Sequence, residues 1–135
     1  MPAEYVLDTF AVIALIRAER GKDRVLDLLA QAERGGITCR FSVINAGEVA
    51  YIVERESGLA GAEQFLATLR RTPVIVEDAT WQRILAAAHI KARYALSYAD
   101  AFAVALAQER GATVVTGDPE FELVAHNTRI EWLNG

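Results

Sequence analysis

Four acidic side chains occupy positions that would allow them to act together: Asp8, Glu48, Asp100 and Asp118. Asp8 directly follows the apolar run 5–7, and Asp118 follows a second apolar run in a similar way. Runs of this kind predict buried strands, and open α/β sheets bind ligands just beyond the carboxyl ends of their strands. Both carboxylates are therefore expected at an edge of the sheet where chemistry commonly occurs.

The other two acids lie in predicted helices that must be largely buried. The helix that follows Asp100 has small, apolar side chains on every side, so it must be buried. Its amino terminus is therefore expected to face a cleft rather than bulk water. Glu48 shares a helical face with Ile44 and Ile52, which places it on an apolar stripe. A carboxylate on a buried stripe is costly unless it is paired or bound to a cation.

Each acid also has an ordinary structural explanation when it is taken alone. Asp8 fits a turn residue or a helix cap, and Asp118 fits a turn. Asp100 fits the first turn of a helix that begins with a capping box. Glu48 fits a side chain that reaches solvent or pairs with Arg55. The combination favours a shared site, because all four positions can reach one edge of the same sheet.

The chemistry expected of such a cluster is the binding of Mg²⁺ or Mn²⁺. Clustered carboxylates repel one another and raise one another's pKa unless a cation binds among them. Oxygen ligands favour these hard cations over Zn²⁺, and the chain offers only Cys39 and two well-separated histidines, His89 and His126. Such a cation activates water and neutralises phosphate, so the pattern indicates phosphoryl chemistry.

The elements that must position these acids alternate between strands and helices. This alternation predicts an α/β fold with crossover connections, a mainly parallel sheet of about five strands, and helices on both faces. Strands are predicted at 6–7, 37–41, 74–76, 113–115 and 130–132, and helices at 10–18, from 23 to the glycines at 35–36, and at 43–57, 60–71, 79–92 and 98–110. The predicted N-caps are Thr9, Ser42, Asp78 and Ser97.

Length and charge limit the class of protein. The 135 residues, of which 53% are hydrophobic, correspond to one domain, and we expect a cytoplasmic protein without a membrane segment or signal peptide. The formal charge of −4 equals that of the four acids, so the rest of the chain is balanced and is no bulk polycation. Local phosphate contacts would then fall to Lys91 and Arg93 before Ser97, and to Arg17 and Arg20.

The acids lie within four motifs that together resemble those of PIN-domain ribonucleases, and in order and spacing those of the VapC toxins of toxin–antitoxin pairs. The similarity covers nearly the whole chain. The motifs are Val6-Leu7-Asp8-Thr9, Ser42-x-x-Asn45-x-x-Glu48, Leu96-Ser97-Tyr98-Ala99-Asp100-Ala101 and Val115-Thr116-Gly117-Asp118-x-x-Phe121.

The resemblance implies a three-layer α/β/α sandwich as a single PIN domain over residues 1–135. It implies a Mg²⁺- or Mn²⁺-dependent endoribonuclease, a cognate small antitoxin as inhibitor and a homodimer as the usual unit. Metal-binding and catalytic roles carry over to Asp8, Glu48, Asp100 and Asp118. A helper role carries over to Thr116, whose hydroxyl would orient a metal-bound water.

The resemblance also suggests a mechanism and shows one departure. Asp8, Asp100 and Asp118 would hold the main metal, and Glu48 would complete the site or position the attacking water. In-line attack would leave a 5′-phosphate and a 3′-hydroxyl. Ser97 and Asn45 match less distinctive polar positions of the motifs. The departure is Phe10, which stands where the family often has a small polar residue and which alters the wall of the expected cleft.

Three alternatives compete with the toxin. A PIN nuclease of RNA processing or quality control would carry the same motifs, and the sequence leaves transfer, ribosomal and messenger RNA all open as substrates. A haloacid-dehalogenase-like phosphatase would need a second Asp where this chain has Phe10. A catalytically silent PIN module that only binds RNA or protein is disfavoured, because all four motif acids are present.

Overall fold

A single sheet of five parallel strands organises the fold. The computed structural model describes residues 2–133. The strands lie in the order β3-β2-β1-β4-β5, and each neighbouring pair is parallel. The elements in chain order are β1 (Ala3–Leu7), α1 (Thr9–Ile16), α2 (Lys22–Glu33), β2 (Ile37–Ser42), α3 (Val43–Arg71), β3 (Ile75–Glu77), α4 (Trp81–Arg93), α5 (Tyr98–Arg110), β4 (Thr113–Thr116), a 3₁₀ helix (Pro119–Val124) and β5 (Ile130–Trp132).

The strand order reverses beside β1, which is the central strand. From β1 the chain adds β2 and β3 on one side, and it then crosses back to add β4 and β5 on the other. Leu7, the last residue of β1, is in register with Phe41 of β2 and Val115 of β4. The segments that follow β1 and β4 therefore begin next to each other at the reversal point, where open α/β sheets form their ligand crevice.

Helices cover both faces of the sheet, which confirms the predicted three-layer α/β/α sandwich. Val6 and Val114 pack in one buried cluster with α5 and the 3₁₀ helix. Leu7 and Val115, the next residues of the same two strands, pack in a second cluster with α1, α2 and α3. Successive residues of a strand point to opposite faces, so each cluster is the core of one layer. Every residue from Asp100 to Ala107 of α5 is buried, as its apolar composition predicted.

Most element boundaries agree with the expectations, but two N-caps were predicted wrongly. Asp8, not Thr9, caps α1, because its backbone is extended and its carboxylate accepts a hydrogen bond from the Ala11 N–H. Thr80, not Asp78, caps α4 through its hydroxyl. Ser42 and Ser97 cap α3 and α5 as expected.

The predicted pair of helices at 43–57 and 60–71 forms one element, α3, with a kink at Gly58. Gly58 has φ 77° and ψ 175°, a region that is essentially restricted to glycine. The two halves of α3 on either side of the kink both pack into the same core, since Val53 before it and Phe65 after it belong to one buried cluster. No helix among the described residues has the length and apolar character needed to cross a membrane.

Replacing Gly58 with Ala is expected to destabilise the protein by about 1–3 kcal/mol, because the native dihedral angles disfavour any side chain. A Cβ at Gly58 would meet no atom within 4 Å, so the effect should be purely conformational. Urea unfolding would measure the change in free energy. Gly47→Ala is the matched control in the same helix. Its Cβ also meets nothing within 4 Å, and Ala should stabilise this regular turn by roughly 0.5–1 kcal/mol. Equal effects of the two substitutions would contradict this assignment.

Candidate metal centre

The carboxyl group of Asp8 lies buried at the end of the central strand, with an exposed fraction of only 1%. Its Oδ1 atom accepts a hydrogen bond of 2.8 Å from the Ala11 N–H, which closes the first turn of α1. Its Oδ2 atom is buried and has no partner with hydrogen-bonding geometry. Half of this carboxyl group therefore serves the fold, while the other half remains available.

Asp100 reaches the same region from the first turn of α5. The Ser97 hydroxyl accepts a hydrogen bond of 3.1 Å from the Asp100 N–H, which fixes the helix start. The cap itself uses the Asp100 backbone, while the Asp100 carboxyl group also interacts with the Ser97 side chain, and the residue is only 8% exposed. The capping and cleft explanations of Asp100 are thus compatible, because the cap uses Ser97 and the Asp100 backbone.

Three carboxylates converge beside the end of β4. One oxygen atom each from Asp100, Asp118 and Glu120 lies within 4.8 Å of the other two. Glu120 was missed in the sequence, where the pattern Asp118-Pro119-Glu120 was its only signal. Asp118 caps the 3₁₀ helix by accepting from the Glu120 N–H at 2.9 Å, and this tight turn brings the side chain of Glu120 to the cluster.

Burial and mutual repulsion raise the pKa values of the two most enclosed acids. The pKa of Asp8 rises to about 7, chiefly through burial and with a smaller contribution from the negative charges of Asp100 and Asp118. The pKa of Asp100 rises to about 6, again chiefly through burial and then through Asp118, Glu48 and Glu120. Five carboxylates therefore influence one another's charge, and we refer to them as the acid cluster: Asp8, Glu48, Asp100, Asp118 and Glu120.

Glu48 lies beside the buried stripe of α3 rather than on it, which corrects its predicted position. The buried residues of this half of the helix are Asn45, Ala46, Val49 and Val53. Glu48 is half-buried, and its carboxylate lies 3.5 Å from the Tyr51 hydroxyl. Arg55, the alternative partner of Glu48, instead stacks over the Tyr51 ring at 4.9 Å.

Thr116 is the last residue of β4 and contacts the loop that carries Asp118. Its side chain is fully buried, and its hydroxyl accepts a hydrogen bond of 3.0 Å from the Asp118 N–H. The same hydroxyl lies close enough to the Asp8 carboxyl to oppose the rise in its pKa. The contact falls outside ordinary hydrogen-bonding geometry, so Asp8 Oδ2 has no partner that meets it. Thr116 therefore orients the Asp118 loop and faces Asp8.

Asn45 ties together the three helices that carry the acids. Its Nδ2 atom donates to the Thr9 hydroxyl at 3.0 Å and to the carbonyl of Ala99 at 3.3 Å. Thr9 follows Asp8, and Ala99 precedes Asp100, so one buried amide fixes the spacing of α1, α3 and α5 at the site. The sequence indicated Asn45 only as a less distinctive motif position.

The basic residues expected to hold phosphate are less well defined. Arg17 forms an ion pair with Glu56 of α3. Arg20, Lys91 and Arg93 are exposed, and within residues 2–133 none of the three forms an ion pair with an acid of the cluster. No direct ion pair within the described residues thus connects these four basic residues to the carboxylates of the acid cluster.

The donor set fits a hard divalent cation. It consists of carboxylate oxygens and the Thr116 hydroxyl, with no His or Cys in the described cluster. The unpartnered Oδ2 of Asp8 is the independent sign, because a buried polar atom without a partner costs roughly 1–3 kcal/mol. A bound cation would satisfy this atom and offset the repulsion that raises the pKa values of Asp8 and Asp100.

Comparison with known proteins gives a family match and structural matches. The family model described as PIN domain matches residues 5–127. The comparison with curated proteins gives no match. Among solved structures, VapBC2 from Rickettsia felis, bound to a DNA fragment from their promoter, aligns with a TM-score of 0.74 and 18% identity, covering 97% of this chain and 99% of that chain.

Two further structures show the same fold. Mycobacterium tuberculosis VapC20, a toxin that cleaves the sarcin–ricin loop, aligns with a TM-score of 0.73 and 22% identity, covering 92% of this chain and 95% of that chain. DNA-bound VapBC from Salmonella typhimurium aligns with a TM-score of 0.71 and 23% identity, covering 97% and 98% of the two chains.

Without divalent metal, raising the pH should destabilise the protein, and Asp8→Asn should weaken this dependence. The folded pKa of about 7 lies above the reference value of 3.8, so the folded state holds more protons between these values and its stability falls as pH rises through this window. At about pH 8 in EDTA, Asp8→Asn should raise the free energy of unfolding by up to a few kcal/mol, since Asn can keep the cap. Urea unfolding across pH would measure this.

The matched control is Asp78→Asn, which neutralises an exposed carboxylate that caps no helix. Its stability should follow the pH dependence of the unaltered protein. The assignment of Asp8 as a strained buried acid fails if Asp8→Asn is the less stable variant at about pH 8 without metal.

Proposed function

The chain belongs to the PIN domain family, and from this premise we propose that it is a metal-dependent endoribonuclease acting as the toxin of a toxin–antitoxin pair. The observation that carries the proposal is the buried carboxyl group of Asp8 at the reversal point of the sheet. It has an unpartnered oxygen and interacts electrostatically with Asp100 and Asp118. Helix capping accounts for single oxygens of Asp8 and Asp118 but not for the gathering of several repelling carboxylates. A cation bound among them would offset the repulsion and could neutralise a phosphate.

The residues that would hold the cation are Asp100, Asp118 and Glu120, which each bring an oxygen within 4.8 Å of the other two. Asp8, which interacts electrostatically with Asp100 and Asp118, would complete the set. Mg²⁺ or Mn²⁺ held by these residues would supply positive charge for the scissile phosphate and would lower the pKa of a water molecule. The identity of the ion belongs to the proposal, since the oxygen-only donor set supports both.

The protein's own groups then position the reactants. Glu48 is half-buried at the side of the cluster and interacts electrostatically with Asp100, so it would accept a hydrogen bond from the attacking water. Thr116 holds the Asp118 loop through the Asp118 N–H. Asn45 keeps α1 and α5 at a fixed separation through its bonds to Thr9 and Ala99, and so helps to fix the positions of Asp8 and Asp100.

The toxin role, with RNA as substrate and a small protein antitoxin as partner, is supported by the similar structures. Two of the three compared structures are VapBC proteins bound to DNA, and the third is a toxin that cleaves an RNA loop. Their coverage of both chains is nearly complete, so no large insertion separates this chain from them. A cytoplasmic location is part of the same proposal, since the proposed RNA substrates are found there.

Expression of the chain should arrest growth and create new RNA 5′ ends, and Asp100→Ala should abolish both effects. Cleavage by the variant should fall by more than about 100-fold, because even changes outside the ligand set commonly cost 10–100-fold in activity. Sequencing of 5′ ends from induced cells would identify the RNA that is cut, and EDTA should stop cleavage by the purified protein.

The control variant is Asp78→Asn, which removes an exposed carboxylate outside the cluster and should retain activity. Co-expression of a small protein encoded beside the gene should relieve the arrest if the protein is a toxin. Cleavage without growth arrest would instead favour RNA processing. Retained cleavage by Asp100→Ala would remove the acid cluster from the mechanism.

A further inference from the structure

Phe10 is an apolar side chain at the rim of the acid cluster that the hydrophobic core does not use. It lies two residues after Asp8 in the first turn of α1, and it is 40% exposed. The next residues of the helix, Ala11 and Val12, are buried in the core cluster, whereas Phe10 belongs to neither of the two clusters. Burial of apolar surface therefore does not fully account for an aromatic residue here.

The ring of Phe10 is nonetheless anchored at a defined place. One edge of the ring, formed by Cδ1, Cε1 and Cζ, lies so close to Gly117 that a Cβ added to this glycine would overlap it. Gly117 does not have a positive φ, so no unusual backbone conformation calls for glycine here. A side chain at this position would instead displace the Phe10 ring from the place it occupies. Gly117 lies between Thr116 and Asp118, which places the ring directly against the loop of the acid cluster.

Among residues 2–133 the Phe10 ring forms no aromatic pair and no cation–π contact. Two other aromatic residues near the acids, Tyr51 and Tyr98, are also exposed, but each ring already has such a partner within the protein. Tyr98 packs against Phe102 with a centroid separation of 5.0 Å, and the Tyr51 ring lies under Arg55 at 4.9 Å. Phe10 is thus an exposed aromatic surface beside the cluster whose free portion no protein group covers.

An exposed aromatic ring beside a phosphate-binding site is suited to hold a nucleobase. Stacking of a base on an aromatic side chain contributes about 1–3 kcal/mol and tolerates any base, because every base presents a π-face. Bases inside an RNA duplex are stacked on each other and are not available, whereas unpaired bases in loops can turn outward onto a protein ring. The position of Phe10 therefore discriminates by RNA structure rather than by sequence.

We propose that Phe10 is a substrate-positioning residue that stacks on an unpaired nucleobase next to the phosphate held at the acid cluster. The inference rests on the proposed ribonuclease function and specifies its substrate as a single-stranded or looped RNA segment. Gly117 contributes by letting the ring lie against the loop, so the stacked base and the scissile phosphate are held by adjacent residues. A duplex of the same sequence is a poor substrate for this arrangement.

Steady-state cleavage of a short RNA without self-complementarity, in Mn²⁺, tests the proposal with the variants Phe10→Leu and Phe10→Trp. Leu keeps an apolar contact on Gly117 but cannot stack, so KM should rise by roughly 5- to 100-fold with kcat little changed. Trp should restore KM to near the value of the unaltered protein. Trp81→Leu, which removes a 69% exposed aromatic residue on α4, is the matched control and should leave KM unchanged.

A second readout separates stacking from a structural effect. Removing single bases from the RNA while keeping its backbone should raise KM for the unaltered protein at one position beside the cut, and should have no further effect on Phe10→Leu. The proposal is overturned if Phe10→Leu matches the unaltered protein, if Trp81→Leu raises KM equally, or if base removal affects both proteins alike. Failure of the unaltered protein to cut any RNA would instead overturn the proposed function, and the inference with it.

Discussion

The burial of one carboxyl group, that of Asp8, is the constraint on which the rest of the site depends. An ionised carboxylate inside a protein is unfavourable unless its oxygens are hydrogen-bonded or bound to a cation. The fold satisfies only one oxygen, through the Ala11 N–H, and leaves the other without a partner. In the absence of metal, the unfavourable burial of the charged carboxylate raises the pKa of Asp8 to about 7. A cation bound among the acids would stabilise the charged form and lower this pKa.

The neighbouring strands and helices hold the other polar residues of the site around the carboxyl group of Asp8. Parallel pairing of β1 with β4 brings the Asp118 loop beside Asp8, and the Thr116 hydroxyl fixes that loop. Asn45 is fully buried and connects α3 with α1 and α5. The hydrophobic layers supply the free energy that such a site costs, since two separate apolar clusters enclose the central strands.

Much of this arrangement was predictable from sequence because strands and acids have strong local signals. Apolar runs followed by Asp8 and Asp118 located the sheet edge, and the all-apolar helix after Asp100 located the buried α5. Glu120 could not be found in this way, because it reaches the cluster only through the 3₁₀ turn that Asp118 caps. Asn45 and Gly117 were visible as motif positions, but their contacts with Ala99 and Phe10 were not, since those partners are distant in sequence. Glu48 was expected on the buried stripe of α3, but it is only half-buried. A helical wheel shows which residues neighbour Glu48, but it does not show which face of the helix packs against the sheet.

The most direct measurement of the central claim is calorimetric titration of the metal-free protein with Mn²⁺ in buffers of different ionisation enthalpy. If a divalent cation binds among these carboxylates, binding at about pH 6.5 should release protons from the acids whose pKa values are raised. The number of protons released per bound Mn²⁺ should approach zero at about pH 8.5, where these groups have already ionised. The absence of Mn²⁺ binding, or binding with no proton release at either pH, would contradict the account.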